Sequence, residues 1–450
     1  MGIFNFQFSI FKRQRVAISG VQLKIRELKL KILHDESGQS LIEIIVGLAI
    51  GAMLIGAASF AISQTLQSNI SIQKAGSAVN MSQELLSKAR AYGLANWQNL
   101  YGLTKTSSTQ YYINASGTSY VVIQGKEGLL DNDVTNGLIG EWKFDEYEGT
   151  TSTVVYDSSA NGKNGTLMNG PTRATSTCKI ANCLSFDDIN DYVATPAISY
   201  GNDVTMSVWF KGGTQTAADW NYWIQNASNR FEFGTFSNGI TFKDNGAVGT
   251  PSVGGGSTSL DNNWHNAIGI VRSNVMEIWV DGMLISTRSD YPTGQTHTNE
   301  IHNLGGNGGI RYWGGYLDDV RIYNRALSAD EVGQVYKSAI FTRYFYVENT
   351  CRTNDASSSV SGVAPCGSIT PTSSDDPSTQ KVTSITEWPT KASTGQVSFS
   401  DYITRSRNVI FQQTDWSGGV SGGVDTSPQS TFTSSTNVNS SGGSIRIQGL

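Results

Sequence analysis

Residues 276–282 read MEIWVDG, a run that alternates in side-chain direction and then ends in Asp-Gly, a dipeptide typical of tight hairpin turns. With a period of two, Met276, Ile278 and Val280 fall on one face of a strand. Residues 206–210, MSVWF, show the same period. Many more short apolar segments, separated by Gly, Asn and Asp, occur between residues 138 and 337. This pattern predicts a β-sandwich.

The composition agrees with a β-rich protein and excludes several classes. The chain has 450 residues, of which 48 are Gly and only 15% are charged, and this disfavours an all-helical fold. The length suggests two to four domains. Hydrophobic residues (38%) and aromatic residues (10%) supply enough apolar surface for a core. The net charge of −5 argues against a nucleic-acid partner.

Eight ordered blocks within residues 133–338 resemble the laminin-G-like, concanavalin A-like jelly-roll domains. They are GLIGEWKFD at 137–145, VYDSSANGKNGTL at 155–167, LSFD at 184–187, DYV at 191–193, VTMSVWF at 204–210, WHN at 264–266, MEIWVDG at 276–282 and GYLDDVRIYNRALS at 315–328. The resemblance covers about 200 residues. It implies a sandwich fold that hosts both lectins and glycosidases, so the fold alone does not decide the function.

The strongest departure from the average composition is the apolar run at residues 41–62, LIEIIVGLAIGAMLIGAASFAI. Its 22 residues are long enough to cross a bilayer as a helix. The first 38 residues carry seven Lys or Arg and three Asp or Glu, a net charge of +4. Because basic flanks stay in the cytoplasm, we expect a single-pass membrane protein with its N-terminus inside.

The junction before this run, SGQSLIE at residues 37–43, has three interpretations. An ordinary signal peptide has a shorter apolar region and ends in small residues. A plain signal anchor requires no particular residues at its start. The third interpretation rests on Gly38 before the apolar run and on Glu43 inside it, because an intramembrane carboxylate is expensive without a partner. A Glu that reaches the headgroups from the helix end is the alternative.

This junction resembles the processing site of type IV prepilins and pseudopilins. The resemblance implies that a prepilin peptidase cuts after Gly38 and removes a leader at 1–38. It also implies that the new N-terminal residue, Gln39, is methylated, although the family usually has Phe there. Glu43 would then pair with the N-terminal amine of a neighbouring subunit during filament assembly, which satisfies two charges in an apolar filament core.

The remaining chain divides around the jelly roll. One long helix is expected at about 40–100, within an N-terminal helical segment at 39–103. Strands are predicted at 110–130, 342–347, 381–389 and 402–405. The last three resemble the C-terminal sheet of pilin-like proteins. We therefore predict an α+β fold in which a small pilin β head, at 104–132 and 339–415, is interrupted by an inserted domain at 133–338. A Gly/Ser-rich segment follows at 416–450.

Calcium is the cofactor that the loops of the inserted domain indicate. Asp157 and Asn161 belong to an oxygen-rich turn, and Asp318 lies near the end of the domain. Calcium accepts carboxylate and carbonyl oxygens in flexible geometry. In the domains that the insert resembles, a structural calcium sits between loops of this kind. The alternative is that Asp157 and Asn161 only cap an Asx-turn.

Several aromatic residues are candidates for stacking on a sugar, although Trp and Tyr are also common in cores. Trp313 lies between Gly308-Gly309 and Gly314-Gly315, and this favours exposure. We therefore single out Trp313 as a ligand-binding residue. The other candidates are Trp220, Tyr222, Trp223 and Tyr312.

No catalytic residues are predicted, and we expect the protein not to be an enzyme. Retaining glycosidases need two close carboxylates. Glu277 and Asp281 share a strand face by parity, but Asp281 sits in the turn and no third acid follows. The four histidines show no H-E-x-x-H pattern, and no G-x-S-x-G motif supports a serine nucleophile.

The four cysteines fall into two local pairs, Cys178 with Cys183 and Cys351 with Cys366. Two local disulfides are the simplest of the three possible pairings, and free thiols are the alternative. Disulfides persist in oxidising compartments, which agrees with an extracellular location.

Together these features predict a structural subunit, minor or specialised, of a type IV pilus-like filament that displays a lectin-like module for adhesion. Its expected partners are the prepilin peptidase, other pilin subunits, membrane lipid before assembly, and a glycan or protein ligand at the cell surface. One alternative is a pseudopilin of a type II-like secretion or DNA-uptake machine. The other is a membrane-tethered glycan-degrading enzyme, which paired carboxylates in a cleft would support.

Overall fold

The computed structural model describes most of the chain between Leu41 and Arg405. The described residues are 41–116, 119–212, 220–226, 231–236, 239–247, 249–257, 261–306, 311–352, 360, 362–363, 365–366, 374–390 and 393–405. The predicted leader with Gly38 and Gln39, and the segment 416–450, lie outside them.

The described residues form three helices and 25 strands. The helices are α1 (Leu41–Ala95), α2 (Trp97–Tyr101) and α3 (Ala329–Lys337). The first strands are β1 (Tyr111–Ser116), β2 (Ser119–Gln124), β3 (Glu127–Leu130), β4 (Leu138–Trp142), β5 (Val154–Val155), β6 (Gly165–Met168), β7 (Thr172–Ala174), β8 (Cys183–Asp187), β9 (Tyr192–Ala194) and β10 (Ile198–Tyr200). They continue as β11 (Val204–Gly212), β12 (Asn221–Asn226), β13 (Phe231–Phe236), β14 (Gly239–Asp244), β15 (Ser252–Ser257), β16 (His265–Arg272), β17 (Val275–Val280), β18 (Met283–Arg288), β19 (His297–Glu300) and β20 (His302–Leu304). The last are β21 (Gly314–Tyr323), β22 (Ile340–Arg352), β23 (Gly362–Val363), β24 (Ser374–Pro389) and β25 (Thr394–Thr404).

Three large antiparallel sheets organise the described strands. The helix-packed sheet has the order β2-β1-β22-β24-β25, and β3 and β23 also pair with β22. Sheet I has the order β18-β17-β16-β11-β21-β8-β7, and β4 also pairs with β21. Sheet II has the order β15-β14-β13-β12-β20-β9-β6-β5. The short strands β10 and β19 form a separate pair.

The N-terminal part of α1 is apolar and exposed. Among residues 43–67, the large hydrophobic side chains from Ile44 to Leu66 are all about half exposed or more. α1 is long and apolar enough, by length and composition, to cross a membrane. This agrees with the predicted long apolar helix.

The helix does not run unbroken to residue 100 as the sequence suggested. Asn96 adopts an extended conformation, with φ −155° and ψ 118°, and its side chain accepts a hydrogen bond from the Gln98 backbone N–H. This is the geometry of an N-cap, a role that Asn fills well. Asn96 therefore ends α1 and starts the single turn of α2.

From Ser68 onward, α1 packs on the helix-packed sheet. Leu85 and Ala89 of α1 are buried against Phe345, Val347 and Ile403 of the sheet. The small residues Ala78 and Ala89 allow the helix to approach the strands closely. The contact is also polar, since the Ser82 and Ser384 hydroxyls lie 2.9 Å apart in a buried position.

The strands on either side of residues 138–337 lie in one sheet. β3, which comes before this segment, pairs with β22, which comes after it, and Leu130 faces Ile340. The Asp131 N–H donates to the Ala339 carbonyl at 2.9 Å. The chain therefore leaves and re-enters the sheet at neighbouring positions, an arrangement that makes a domain insertion sterically simple.

Sheets I and II pack face to face around a large aromatic core. The core includes Trp142, Phe210, Trp223, Phe233 and Phe242, none of which has any exposed surface. The predicted alternation is confirmed on β17, where Met276, Ile278 and Val280 all face this core. The turn after β17 is also as expected, since Asp281 and Gly282 both have positive φ.

Helix α3 covers the other face of sheet I. Val332 and Val335 pack on Ile268 and Ile270 of β16. A capping box fixes the start of the helix, because the Ser328 side chain accepts from the Glu331 N–H and the Glu331 side chain accepts from Ser328. The connection from sheet I back to β22 is thereby held against the sandwich.

Both predicted disulfides are confirmed. Cys178 and Cys183 are bonded with their Cα atoms 5.3 Å apart, and Cys351 and Cys366 with theirs 5.4 Å apart. The first closes a loop against β8, and the second joins β22 to the segment that follows β23.

Replacing Cys351 and Cys366 with Ser is expected to lower the free energy of unfolding by about 3 kcal/mol, because the bond restricts a longer loop of the unfolded chain. The same change at Cys178 and Cys183 should cost about 2 kcal/mol. The sequence separations of 15 and 5 residues set this order. Urea unfolding of the two double variants in detergent measures both losses; a larger loss for the shorter loop would contradict the expectation.

Candidate functional site

The Asp157 carboxylate accepts hydrogen bonds from the backbone around it. Its Oδ1 accepts hydrogen bonds from the N–H groups of Glu141 (3.0 Å) and Ser159 (2.9 Å), and its Oδ2 accepts from Lys163 (2.8 Å). The side-chain N–H of Asn161 donates to the Leu138 carbonyl and to Ser159. The bond from Ser159 back to Asp157 is that of an Asx-turn.

The Asp318 carboxylate also accepts hydrogen bonds from backbone N–H groups, in a different loop. Its Oδ2 accepts from the backbone N–H groups of Lys179 (3.1 Å) and Ile180 (2.8 Å), in the loop closed by Cys178 and Cys183. Burial, together with the nearby Asp145, raises the pKa of Asp318 well above its usual value.

These contacts do not fit a calcium site built from Asp157, Asn161 and Asp318. Within the part of the chain that the structure describes, no group of three or more His, Cys, Asp or Glu residues could hold a metal ion. Calcium binding stays a prediction, and the contacts favour the Asx-turn alternative.

The prediction that Trp313 is exposed is wrong. Trp313 has 0% exposed surface and belongs to the sandwich core. Its ring meets Trp223 edge to face at 5.7 Å and Phe210 at 6.0 Å. Trp313 therefore stabilises the fold, and so does Trp223, while Tyr222 and Tyr312 are also buried.

The filament-assembly candidate Glu43 lies in the first turn of α1 and is exposed. The two processing candidates that precede it lie outside the described residues. The assembly role of Glu43 stays a prediction.

The acids considered for catalysis are held by other side chains. Glu277 accepts from the Trp279 indole N–H at 2.9 Å and lies 3.5 Å from Arg272. Asp281 lies 2.7 Å from Nδ1 of His265, whose Nε2 lies 3.1 Å from Asp261. These two acceptors raise the pKa of His265, although burial acts against them. The triplet Asp261–His265–Asp281 is a feature that sequence reasoning missed.

The outer face of sheet II carries a row of polar side chains. Alternation along the strands turns Phe231, Phe233 and Phe242 into the core, so Glu232 and Lys243 point outward. Strand pairing aligns four of these outward side chains in a row across the sheet: Lys243, Glu232, Gln225 and Asn303. Glu232 and Asn303 are more than nine-tenths buried although they lie on an outer face.

An aromatic platform lies beside this row. Trp220, just before β12, stacks on Phe236 with ring centroids 4.4 Å apart and planes inclined by 27°. Its ring is also 6.0 Å from that of Tyr222. Phe236 is 41% exposed and Trp220 is partly exposed. Stacked rings with accessible surface are suited to contact the apolar face of a sugar.

Two cations border the platform. Lys243 Nζ lies 5.5 Å from the centre of the Trp220 ring. Arg311 donates from Nη1 to the Tyr222 hydroxyl at 2.8 Å. The pKa of Tyr222 is raised by burial and by the Glu232 carboxylate, against the effect of Arg311. Among the described residues, neither cation forms a salt bridge.

Sequence reasoning identified Trp220 and Tyr222 as candidates but not Lys243, Glu232, Asn303 or Arg311. These residues come from four segments distant in sequence, and strand register brings them together. The available signal was the outward parity of Glu232 and Lys243 in FEFGTF and GITFKD.

Residues 187–333 match the model of a protein family described as the concanavalin A-like lectin/glucanases superfamily. These residues form a concanavalin A-like domain. The match covers sheet I and sheet II strands from β9 to β21, together with most of α3. A comparison with curated proteins finds no match.

Solved structures similar to the chain include several that are described as binding domains. Domain 4 of AbnA, an extracellular arabinanase from Geobacillus stearothermophilus in complex with arabinotriose, is 17% identical, with a TM-score of 0.37 over 44% of this chain and 98% of that one. The binding domain of Paraclostridial Mosquitocidal Protein 1 is 12% identical, with a TM-score of 0.38 over 60% and 76% of the two chains. Trypanosoma rangeli sialidase is 13% identical, with a TM-score of 0.34 over 45% and 33%. At these values the similarities carry no argument about the ligand of the concanavalin A-like domain.

Proposed function

We propose that the protein is a subunit of a type IV pilus-like filament, anchored first in the bacterial cytoplasmic membrane, that displays its concanavalin A-like domain to a glycan or protein ligand outside the cell. The observation that carries this proposal is the division of α1. Its first part exposes apolar side chains on every side, and its later part packs on an antiparallel sheet. An exposed apolar helix needs lipid or other helices around it.

The position of the concanavalin A-like domain supports a display function. The residues of this domain lie in the chain between β3 and β22, two strands that pair with each other, as an inserted domain would. In this proposal the apolar helix serves assembly and the domain serves binding. The partners in this proposal are a prepilin peptidase, further subunits of the filament, membrane lipid and the ligand itself.

Binding rather than catalysis is the proposed activity. Glu277 and Asp281 are each engaged by neighbouring side chains within sheet I. A glycosidase requires a carboxylate pair that faces a substrate together.

The filament proposal predicts that the mature protein begins at Gln39. In a host with a prepilin peptidase, N-terminal sequencing and intact mass should show loss of residues 1–38, and the product should occur in sheared filaments. Gly38→Val should block the cut, because the small residue before the apolar run is required. Gly47→Val is the matched control, since nothing lies within 4 Å of the position where its Cβ would be.

Glu43→Gln should leave cleavage intact and reduce incorporation into filaments, because the amide removes the charge that would pair with the neighbouring N-terminus. A mature N-terminus elsewhere, or an uncut chain in the peptidase-containing host, would overturn the assignment of the junction.

A further inference from the structure

We propose that the outer face of sheet II binds an acidic saccharide, one whose sugars carry carboxylate groups, with Trp220 and Phe236 stacking on the sugar rings and Arg311 and Lys243 contacting the carboxylates. This deepens the proposed function by naming the ligand class and its site. It depends only on the ligand-binding part of that proposal, and not on filament assembly.

The first support is a polar side chain that the fold leaves without a partner. Asn303 is 6% exposed and faces outward on β20, beside Gln225. Among the described residues its side-chain amide makes no hydrogen bond. A sugar hydroxyl can both donate to and accept from such an amide, and so would satisfy it.

The second support is the charge of the site. The whole chain carries a net charge of −5, yet the described residues of this row and its border include two cations, Lys243 and Arg311, and one acid, Glu232. Glu232 is 4% exposed and lies near the Tyr222 hydroxyl. Lys243 lies over the Trp220 ring and forms no ion pair with Glu232. The accessible charge is therefore positive, which complements a carboxylate.

The third support is the spare hydrogen-bonding capacity of Arg311. A guanidinium has five N–H donors, and Arg311 gives one of them to Tyr222 within the described residues. Arg311 is partly exposed, so further donors can reach a ligand. The planar fork of Arg matches the two oxygens of a carboxylate.

In this arrangement different residues contact the sugar rings and the carboxylate groups. The platform of Trp220 and Phe236 has no charge and contacts the apolar faces of sugars in general. The cations stand at its border and distinguish acidic from neutral sugars. Stacking should therefore set the overall affinity, and Arg311 and Lys243 the preference for acid.

The test measures binding of the full chain in detergent micelles to a panel of oligouronates and sialylated oligosaccharides, each beside its carboxyl-reduced counterpart. Calorimetry should show tighter binding of at least one acidic form than of its reduced partner, with a preference that falls as salt is raised. Binding of the acidic and reduced forms with equal affinity would overturn the proposal, and so would no binding to any member of the panel.

Variants then locate the site. Arg311→Met should weaken binding of the acidic form about 10- to 100-fold and remove the preference over the reduced form. Arg311→Lys should keep part of that preference, because charge remains without the fork. Trp220→Ala should weaken both forms alike. The matched control is Lys211→Met, which removes a cation lying 5.9 Å from the Tyr316 ring on sheet I.

Thermal unfolding of each variant separates loss of binding from loss of fold. If the variants melt like the wild type and Lys211→Met weakens binding as much as Arg311→Met, the site is not on sheet II. Failure of the protein to enter filaments would leave this result unaffected, since the assay uses the chain in micelles.

Discussion

Replacing Arg343 with Met is expected to lower the free energy of unfolding by about 3–5 kcal/mol, because it leaves a buried carboxylate without its main partner. Arg343 on β22 is 3% exposed, and its Nε lies 2.6 Å from Oε2 of Glu127 on β3. Its Nη1 also donates to Glu84 (3.1 Å) and to the Met81 carbonyl (3.2 Å) of α1. One guanidinium on β22 therefore joins α1 to β3.

The state of Glu127 shows how strongly it depends on this contact. Burial alone would raise the pKa of Glu127, but the positive charges of Arg343 and Lys143 outweigh it and hold that pKa below its usual value. After the substitution, Lys143 Nζ, 3.5 Å from Oε1, remains as a weaker partner. The carboxylate then pays most of its desolvation cost without compensation.

The double variant Arg343→Met, Glu127→Gln provides the internal comparison. Removing the second charge should restore more than half of the lost stability, because an unpaired amide is less expensive to bury than an unpaired charge. Arg90→Ala removes an ion pair with Asp401 whose Arg side chain is 55% exposed, and it should cost less than about 1 kcal/mol. Urea unfolding in detergent, followed by Trp fluorescence, measures all three. A small loss for Arg343→Met, equal to that of Arg90→Ala, would contradict the account.

Periodicity predicted the strands of the sandwich because one face of each must reach the core. In residues 206–210 the alternating residues Met206, Val208 and Phe210 do lie in the core. The same pattern does not reveal that Trp209, on the other face, is buried as well. Its ring stacks on Tyr336 of α3, 127 positions later in the chain. Burial on that face depends on a helix that returns from a distant segment.

The candidate site was harder to predict because its residues become neighbours only through the register in which the strands pair. Local sequence gives the outward parity of Lys243 but not that Glu232 pairs opposite it, or that Gln225 and Asn303 continue the row. Similarly, the oxygen-rich turn at Asp157 suggested a cation. Three backbone N–H groups satisfy that carboxylate instead, and only the folded loop shows where those groups point.

The glycines that flank Trp313 in the sequence led to the wrong prediction that its side chain is exposed, and the reason is physical. Glycine-rich flanks are typical of exposed turns, but glycine also permits close packing where a large ring must enter a core. Gly305 has a φ of +84°, and a Cβ there would lie 2.3 Å from the Phe186 ring. The Trp313 N–H donates to the Gly305 carbonyl at 2.8 Å. Gly305 thus allows the backbone and two aromatic side chains, Phe186 and Trp313, to come together inside the sandwich.

Trp313→Ala is therefore expected to cost about 3–5 kcal/mol of folding free energy, through lost burial and the cavity left beside Trp223 and Phe210. Trp313→Phe should cost less, since it keeps a ring and leaves a smaller cavity. Trp220→Ala, at a partly exposed position, should change stability by less than about 1 kcal/mol. Urea unfolding in detergent measures the three differences.

The contrast between these two tryptophans separates a core role from a ligand role. Trp313→Ala should bind an acidic saccharide less well only because part of the protein is unfolded. Under conditions where this variant is fully folded, its affinity should approach the wild-type value. Trp220→Ala should lose affinity while it remains folded. If Trp313→Ala unfolded at the same urea concentration as the wild type yet failed to bind, Trp313 would belong to the ligand site, and the assignment of that site to the outer face of sheet II would fail with it.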